Sequence, residues 1–234
     1  MPADQTFESK MAALQSRLEQ LPGAVVAFSG GVDSAMLLHA SQAALGDRVV
    51  AVTADSPSLP RAELADASLF AEEHGIEHII LDTDELRRLG YRENAPDRCF
   101  FCKTELFEAI AAEIGRVSEA GWPVLYGAIL DDDAEHRPGA QAARQHGVLA
   151  PLTELSICKA EVRQYSRSHG LATADKPSFA CLASRIPYGT RVTAELLAQL
   201  EQAENVLREL GYQQFRVRHH GTVARIELLP EDFD

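Results

Sequence analysis

No stretch of this 234-residue sequence stays apolar long enough to cross a bilayer, so no membrane span is expected. A basic excess is also missing: 22 Lys and Arg face 35 Asp and Glu, for a formal net charge of -13. Dense Lys and Arg are what grip a phosphate backbone, so a stable nucleic-acid partner is disfavoured. A small anion is not excluded, because a few backbone N–H groups and two or three local cations hold one. The first residues, Met1-Pro2-Ala3-Asp4-Gln5, lack the basic and apolar regions of a secretory signal, and a cytoplasmic location is expected. Internal repeats and low-complexity tracts are absent. Cysteine is scarce at four residues, and in a cytosolic chain such thiols point to metal or catalytic sulfur more than to disulfides.

What is present is a 46% hydrophobic chain, enough to bury a sizeable core in one large domain or one domain with an appendage. Residues 6–21 carry apolar side chains at helical spacing and close at Pro22-Gly23. The run Ala24-Val25-Val26-Ala27-Phe28 suits a buried parallel strand. A helix to about Leu45, a strand over 48–54, a helix over 60–74 and a strand over 77–81 follow. A helix opening at Cys102 and running to about Ile114 precedes a strand over 124–127, and an amphipathic helix spans 159–169. This alternation predicts an α/β fold with a parallel sheet covered on both faces, with ligands at the carboxyl ends of its strands.

The pattern changes near Asp175-Lys176-Pro177, which divides the chain into a domain of residues 1–175 and a smaller α+β region of residues 176–234. There a long loop precedes a helix with Thr193 as N-cap and Gly211 just past its end. Two alternating segments follow, over 215–218 and 223–228. Phe215 and Val217 should face inward and Arg216, Arg218 and His220 outward, with His219-His220 in a hairpin turn. The sequence stops soon after, and a trailing segment is to be expected beyond Asp234.

The strongest motif is Ser29-Gly30-Gly31-Val32-Asp33-Ser34, set between the first strand and its helix. Paired glycines let the backbone approach phosphate oxygens, and the helix presents its positive end to the same anion. The Ser29 and Ser34 hydroxyls can donate further bonds. Asp33 repels phosphate unless it holds a cation or an amide, so a Mg²⁺-linked or loop-ordering role is assigned to it. A Gly-Lys-Ser/Thr ending is lacking, which excludes a Walker loop. An ordinary tight turn is the bland alternative. The motif resembles the pyrophosphate (PP) loop of N-type ATP pyrophosphatases, which cleave ATP between the α- and β-phosphates and adenylate a substrate. That resemblance implies bound ATP with adenine near Thr53 and Ser56.

Cys99-Phe100-Phe101-Cys102 stands at a helix start, where a thiolate is stabilised, and Cys181 lies far downstream. Two close thiolates and a remote third can hold a [4Fe–4S] cluster by three irons, leaving the fourth open to an extra sulfide. A redox dithiol and inert packing are the other readings of the pair. Cys158, ahead of a helix, reads as a small buried residue rather than a fourth ligand.

With these stretches in view, the chain is identified as resembling the LarE family, which makes the sulfur-containing nickel-pincer cofactor of lactate racemase. The matching segments include Asp97-Arg98-Cys99-Phe100-Phe101-Cys102, Tyr126-Gly127, Arg137-Pro138-Gly139, Ala180-Cys181-Leu182-Ala183-Ser184-Arg185-Ile186-Pro187-Tyr188-Gly189 and Arg216-Val217-Arg218. The resemblance implies a pyridinium dicarboxylate mononucleotide substrate, adenylation of a carboxylate, displacement of AMP by sulfur, and a homo-oligomer, a hexamer in the family. Sulfur comes either from one sacrificed cysteine or, in members with three cysteines on a [4Fe–4S] cluster, from a sulfide or other sulfur donor. Cys99 and Cys102 beside Cys181 favour the cluster type. Catalytic roles fall on Cys181, Asp33 and Arg185, and nucleotide or substrate contacts on the loop, Thr53, Ser56, Gly127, Arg137, Ser184, Arg216 and Arg218. Arginine forks match phosphate and carboxylate; surface ion pairs are their bland alternative. Glu227 pairs with Arg225 on the plain reading, and the family suggests a metal at an oligomer interface. Competing functions are a tRNA-thiolating enzyme, a sensing module that binds ATP without consuming it, and an ammonia-using ligase.

Overall fold

A computed structural model describes residues 6–117, 121–133 and 138–233. Helix α1 (Phe7–Glu19) is capped by the Thr6 hydroxyl, which accepts from the Ser9 N–H at 3.3 Å. Strand β1 (Ala24–Ala27) is buried at every residue, as an unbroken apolar run requires when both faces of a sheet are covered. Helix α2 (Val32–Leu45), strand β2 (Val49–Asp55), helix α3 (Arg61–Glu73) and strand β3 (Glu77–Asp82) complete two parallel βαβ units. Short α4 (Leu89–Arg92) and long α5 (Arg98–Val117) lead to strand β4 (Val124–Tyr126). Helices α6 (Leu130–Asp133), α7 (Pro138–Gln145), α8 (Pro151–Glu154) and α9 (Lys159–Ser168) follow, then α10 (Ala194–Glu209) and strands β5 (Phe215–His220) and β6 (Val223–Leu228).

The four central strands are parallel in the order β3–β2–β1–β4, and Val26 stands opposite both Ala51 and Leu125. Alternation along each strand sends Ala24, Val26 and Ala51 to a core with α1, α2 and α9, and Val25, Val50 and Val52 to one with α5 and α7. Helix α2 is apolar on nearly every side because both the sheet and other helices pack on it. The expected α/β architecture is therefore what the chain forms, with β5 and β6 as a small antiparallel hairpin. Among the described residues no helix is long and apolar enough to cross a membrane.

A third core joins Leu182, Ala183, Ile186, Val192, Leu197, Leu200 and Val217 to Tyr91, Phe101 and Cys102. Residues after 176 thus pack directly on α4 and the start of α5. The same packing moves a boundary: the helix expected to open at Cys102 opens one turn earlier, at Arg98. Arg98 is buried there, donating to the Asn94 side chain and to the Ala183 carbonyl at 2.8 Å, which fixes the first turn in place. The hairpin differs too. His219 and His220 pair with Ala224 and Val223 inside the ladder, so the turn falls on Gly221-Thr222 rather than on the histidines.

Candidate active site

Residues 29–34 leave the carboxyl end of β1 and enter α2. Gly30 holds φ at +71°, a left-handed conformation that glycine adopts without strain, and a Cβ there would crowd the Ala67 methyl at 3.2 Å. Gly31 caps α2 with no side-chain bond to the helix end, so the first N–H groups are not covered by a cap. The Ser29 and Ser34 hydroxyls lie 3.1 Å apart, and Ser34 also donates to the Gly31 carbonyl at 3.1 Å. Gly127, just past β4, has a steric reason to be glycine: a Cβ would stand 2.8 Å from the Ser34 amide nitrogen and 2.9 Å from the Asp33 carbonyl carbon. Its bareness lets β4 close against the loop.

Asp33 points to a partner that sequence reasoning missed. The Lys159 ammonium, at the start of α9, lies 2.5 Å and 2.7 Å from the two Asp33 carboxylate oxygens. Lys159 is held there by its own backbone N–H, which donates to Asp131 at 2.6 Å. A spacing of 126 residues carries no local signal, so only the fold reveals this cation beside the loop. Thr53 is buried and donates to the Phe28 carbonyl at 2.7 Å, while His78 contacts its hydroxyl at 2.8 Å. Thr53 therefore locks β2 to β1 beneath the loop. Ser56, at the end of β2, has its hydroxyl 3.3 Å from that of Ser58.

The thiols form a second centre. Cys99 is exposed, and Cys102 and Cys181 are half-buried against Tyr91, Leu182 and Ala183. Cys99 and Cys181 each bear electrostatically on Cys102, so the fold brings the three sulfurs into one neighbourhood. The thiolate stabilisation expected of a helix start is reversed at Cys102. Burial pushes its thiol up, and negative charge on Cys181 or Glu85 pushes it further. Burial raises Cys181 as well, opposed by the Arg98 guanidinium. Tyr91 is fully buried among the same groups; its phenol is pushed up first by burial, then by Cys181, Glu85 and Cys102, and stays protonated. Asn94, also buried, donates to the Pro187 and Thr190 carbonyls at 2.9 Å each and shapes the loop after Cys181. Cys158 is a half-buried helix cap whose N–H donates to Glu161 at 2.9 Å, not a fully buried residue. Among the described residues no group of three or more His, Cys, Asp or Glu side chains is arranged to hold a single metal ion.

Arg185 is 3% exposed and tied into the framework. Its guanidinium meets Glu204 at 2.8 Å and 3.2 Å, and donates to the Ala180 carbonyl at 2.5 Å and the Ser184 hydroxyl at 3.0 Å. Glu204 also accepts the Val217 N–H at 3.0 Å, so one buried ion pair joins the Cys181 loop, α10 and β5. Beside it lies an open pocket of about 660 Å³, lined by Lys176, Phe179, Arg185, Arg208 and Arg216 among others. Arg218 is not among its walls; it pairs with Glu227 at 2.9 Å, and Arg225 meets the same carboxylate at 3.1 Å. Arg137 lies outside the described residues.

A phosphate loop, a nearby lysine and a set of clustered thiols can activate an oxygen with ATP and supply sulfur. Residues 23–97 match the family model described as queuosine biosynthesis protein QueC. The chain is 44% identical over 228 residues to the uncharacterized protein slr1717 of Synechocystis, covering 96% of this chain and 83% of the relative. It is 36% identical over 227 residues to the pyridinium-3,5-bisthiocarboxylic acid mononucleotide synthase of Lactiplantibacillus plantarum, covering 95% of this chain and 80% of that one. The chain belongs to the LarE family. As a LarE-family protein it has the ATP-using PP-loop fold, and Cys99, Cys102 and Cys181 lie on the two segments, α5 and the 181–185 turn, that the third core presses together.

Proposed function

We propose that this LarE-family enzyme adenylates a carboxylate of pyridinium-3,5-dicarboxylate mononucleotide and converts it to a thiocarboxylate, in the assembly of the nickel-pincer cofactor. One observation carries the reading: the Leu182 N–H donates to the Ser58 carbonyl at 2.9 Å. That bond ties the thiol-bearing turn to the segment leaving β2, beside Ser56, where ATP's adenosine is expected. The likeness to the synthase over nearly the whole chain supports it. In the first step a substrate carboxylate oxygen attacks the α-phosphorus and pyrophosphate leaves. In the second, a sulfur nucleophile attacks the acyl carbon and AMP leaves; without adenylation the carboxylate oxygen would be a very poor leaving group.

The uncapped N-terminus of α2 and Lys159 take the charge of the leaving pyrophosphate. Asp33 offers a carboxylate for Mg²⁺ as well as an anchor for Lys159. Arg216, for which no ion pair is seen among the described residues, suits a substrate phosphate in the pocket beside Arg185. For the sulfur, Cys99, Cys102 and Cys181 suit a [4Fe–4S] cluster. Cluster ligands bind different irons and need not converge on one point, and the buried Tyr91, whose hydroxyl meets no partner by hydrogen-bond geometry, packs in the same cluster as Cys102 and Cys181. When bound, such a cluster would supply an open iron able to carry sulfide. A cytoplasmic homo-oligomer without a stable nucleic-acid partner, fed by a sulfide donor, completes the reading. Pyrophosphate release that requires both ATP and the mononucleotide is the test; ATP turnover indifferent to the mononucleotide would refute it. Mass spectrometry of Cys181 after turnover then separates a sacrificed cysteine from a retained one.

A further inference from the structure

Tyr91 is 0% exposed, and its hydroxyl makes no hydrogen bond. A buried O–H without a partner costs stability, so a native fold that keeps one calls for an explanation. The Ser58 hydroxyl is close enough to bear on the phenol, yet no neighbour meets hydrogen-bond geometry with it. The one proton of the Ser58 hydroxyl goes to Glu85, and the Ser58 carbonyl accepts from Leu182 at 2.9 Å. Glu85 is itself 1% exposed. Cys102 and Cys181 pack in the same cluster and bear on the phenol. A buried phenol packed beside two thiols, its hydroxyl without a partner in hydrogen-bond geometry, is a donor available to an anion.

We infer that the Tyr91 hydroxyl donates a hydrogen bond to the anionic sulfur held beside Cys102 and Cys181 before it is transferred. The inference rests on the sulfur-transferase reading and adds to it a residue on α4, which that reading leaves without a task. The donor compensates where burial makes a sulfur anion costly, and it orients the sulfur toward the turn that Ser58 anchors.

Tyr91→Phe removes only the hydroxyl. Pyrophosphate release with ATP and mononucleotide should stay within about twofold, while thiocarboxylate formation falls roughly tenfold to a hundredfold, the size of a hydrogen bond to a charged group. Acid-labile sulfide retained after anaerobic incubation with sodium sulfide and desalting should fall in parallel. The melting temperature should hold or rise, because an unpaired buried hydroxyl has gone. Wild-type thiocarboxylate formation and sulfide retention in the variant would overturn the inference, as would a lowered melting temperature with both chemical steps reduced together. If the wild-type protein itself releases no pyrophosphate, the sulfur-transferase reading fails, and the sulfide-retention comparison still decides whether Tyr91 holds sulfur.

Discussion

The phosphate loop and the thiol centre lie at the same end of the sheet but are built by opposite means. The loop is six consecutive residues whose donors are mostly backbone N–H groups, fixed by Gly30, by the Ser29–Ser34 contact and by the bare face of Gly127. It offers polarity to a charge that arrives from outside. The thiol centre draws Cys99 and Cys102 from α5, Tyr91 from α4 and Cys181 from a turn stapled by Arg98, Arg185 and Ser58. It withholds polarity, so sulfur anions there are disfavoured until something compensates. On the proposed reading, one region stabilises a leaving group and the other disfavours a sulfur anion until a partner compensates it. Adenylation and sulfur transfer should therefore be separable by mutation.

The largest effect expected is at the sulfur. Cys181→Ser should lower thiocarboxylate formation by at least about a thousandfold and leave pyrophosphate release nearly intact, read by parallel phosphate and product assays. Loss of both would break the contrast. Next comes the staple. Arg185→Met strands a buried carboxylate and should cost about 3–5 kcal/mol in urea unfolding. Adding Glu204→Leu should recover only part of this, since the Val217 N–H then loses its acceptor.

On the loop side, Lys159→Gln should weaken ATP binding by about tenfold, measured calorimetrically. Its effect on stability should stay within about 1 kcal/mol, because the Asp33–Lys159 pair is partly solvated. Smallest is a pH effect away from both centres. His39 is held below the ordinary histidine value of 6.5 by burial and then by His169 and His74. Its neutral form is favoured in the fold, so this stability is complete above about pH 6.5 and declines as pH falls toward the lowered value. The melting temperature should drop over that window, and His39→Gln should flatten the drop.

What the sequence determined alone was whatever is carried by neighbours along the chain. The apolar run before Ser29, the two glycines and the helix after them specify strand, turn and helix by local sterics and burial. Thr193 and Gly211 marked the ends of α10 for the same reason. The pairing of Arg225 with Glu227 was legible from strand alternation, though Arg218 shares that carboxylate. Tertiary structure decided the rest. Lys159 reaches Asp33 across 126 residues, and Arg185 turns inward to Glu204. The Cys102 thiol is raised where a helix start alone argues for a lowered one. Each depends on desolvation or on a contact between distant segments, and neither quantity is fixed until the third core closes over α4, α5 and the turn at Cys181.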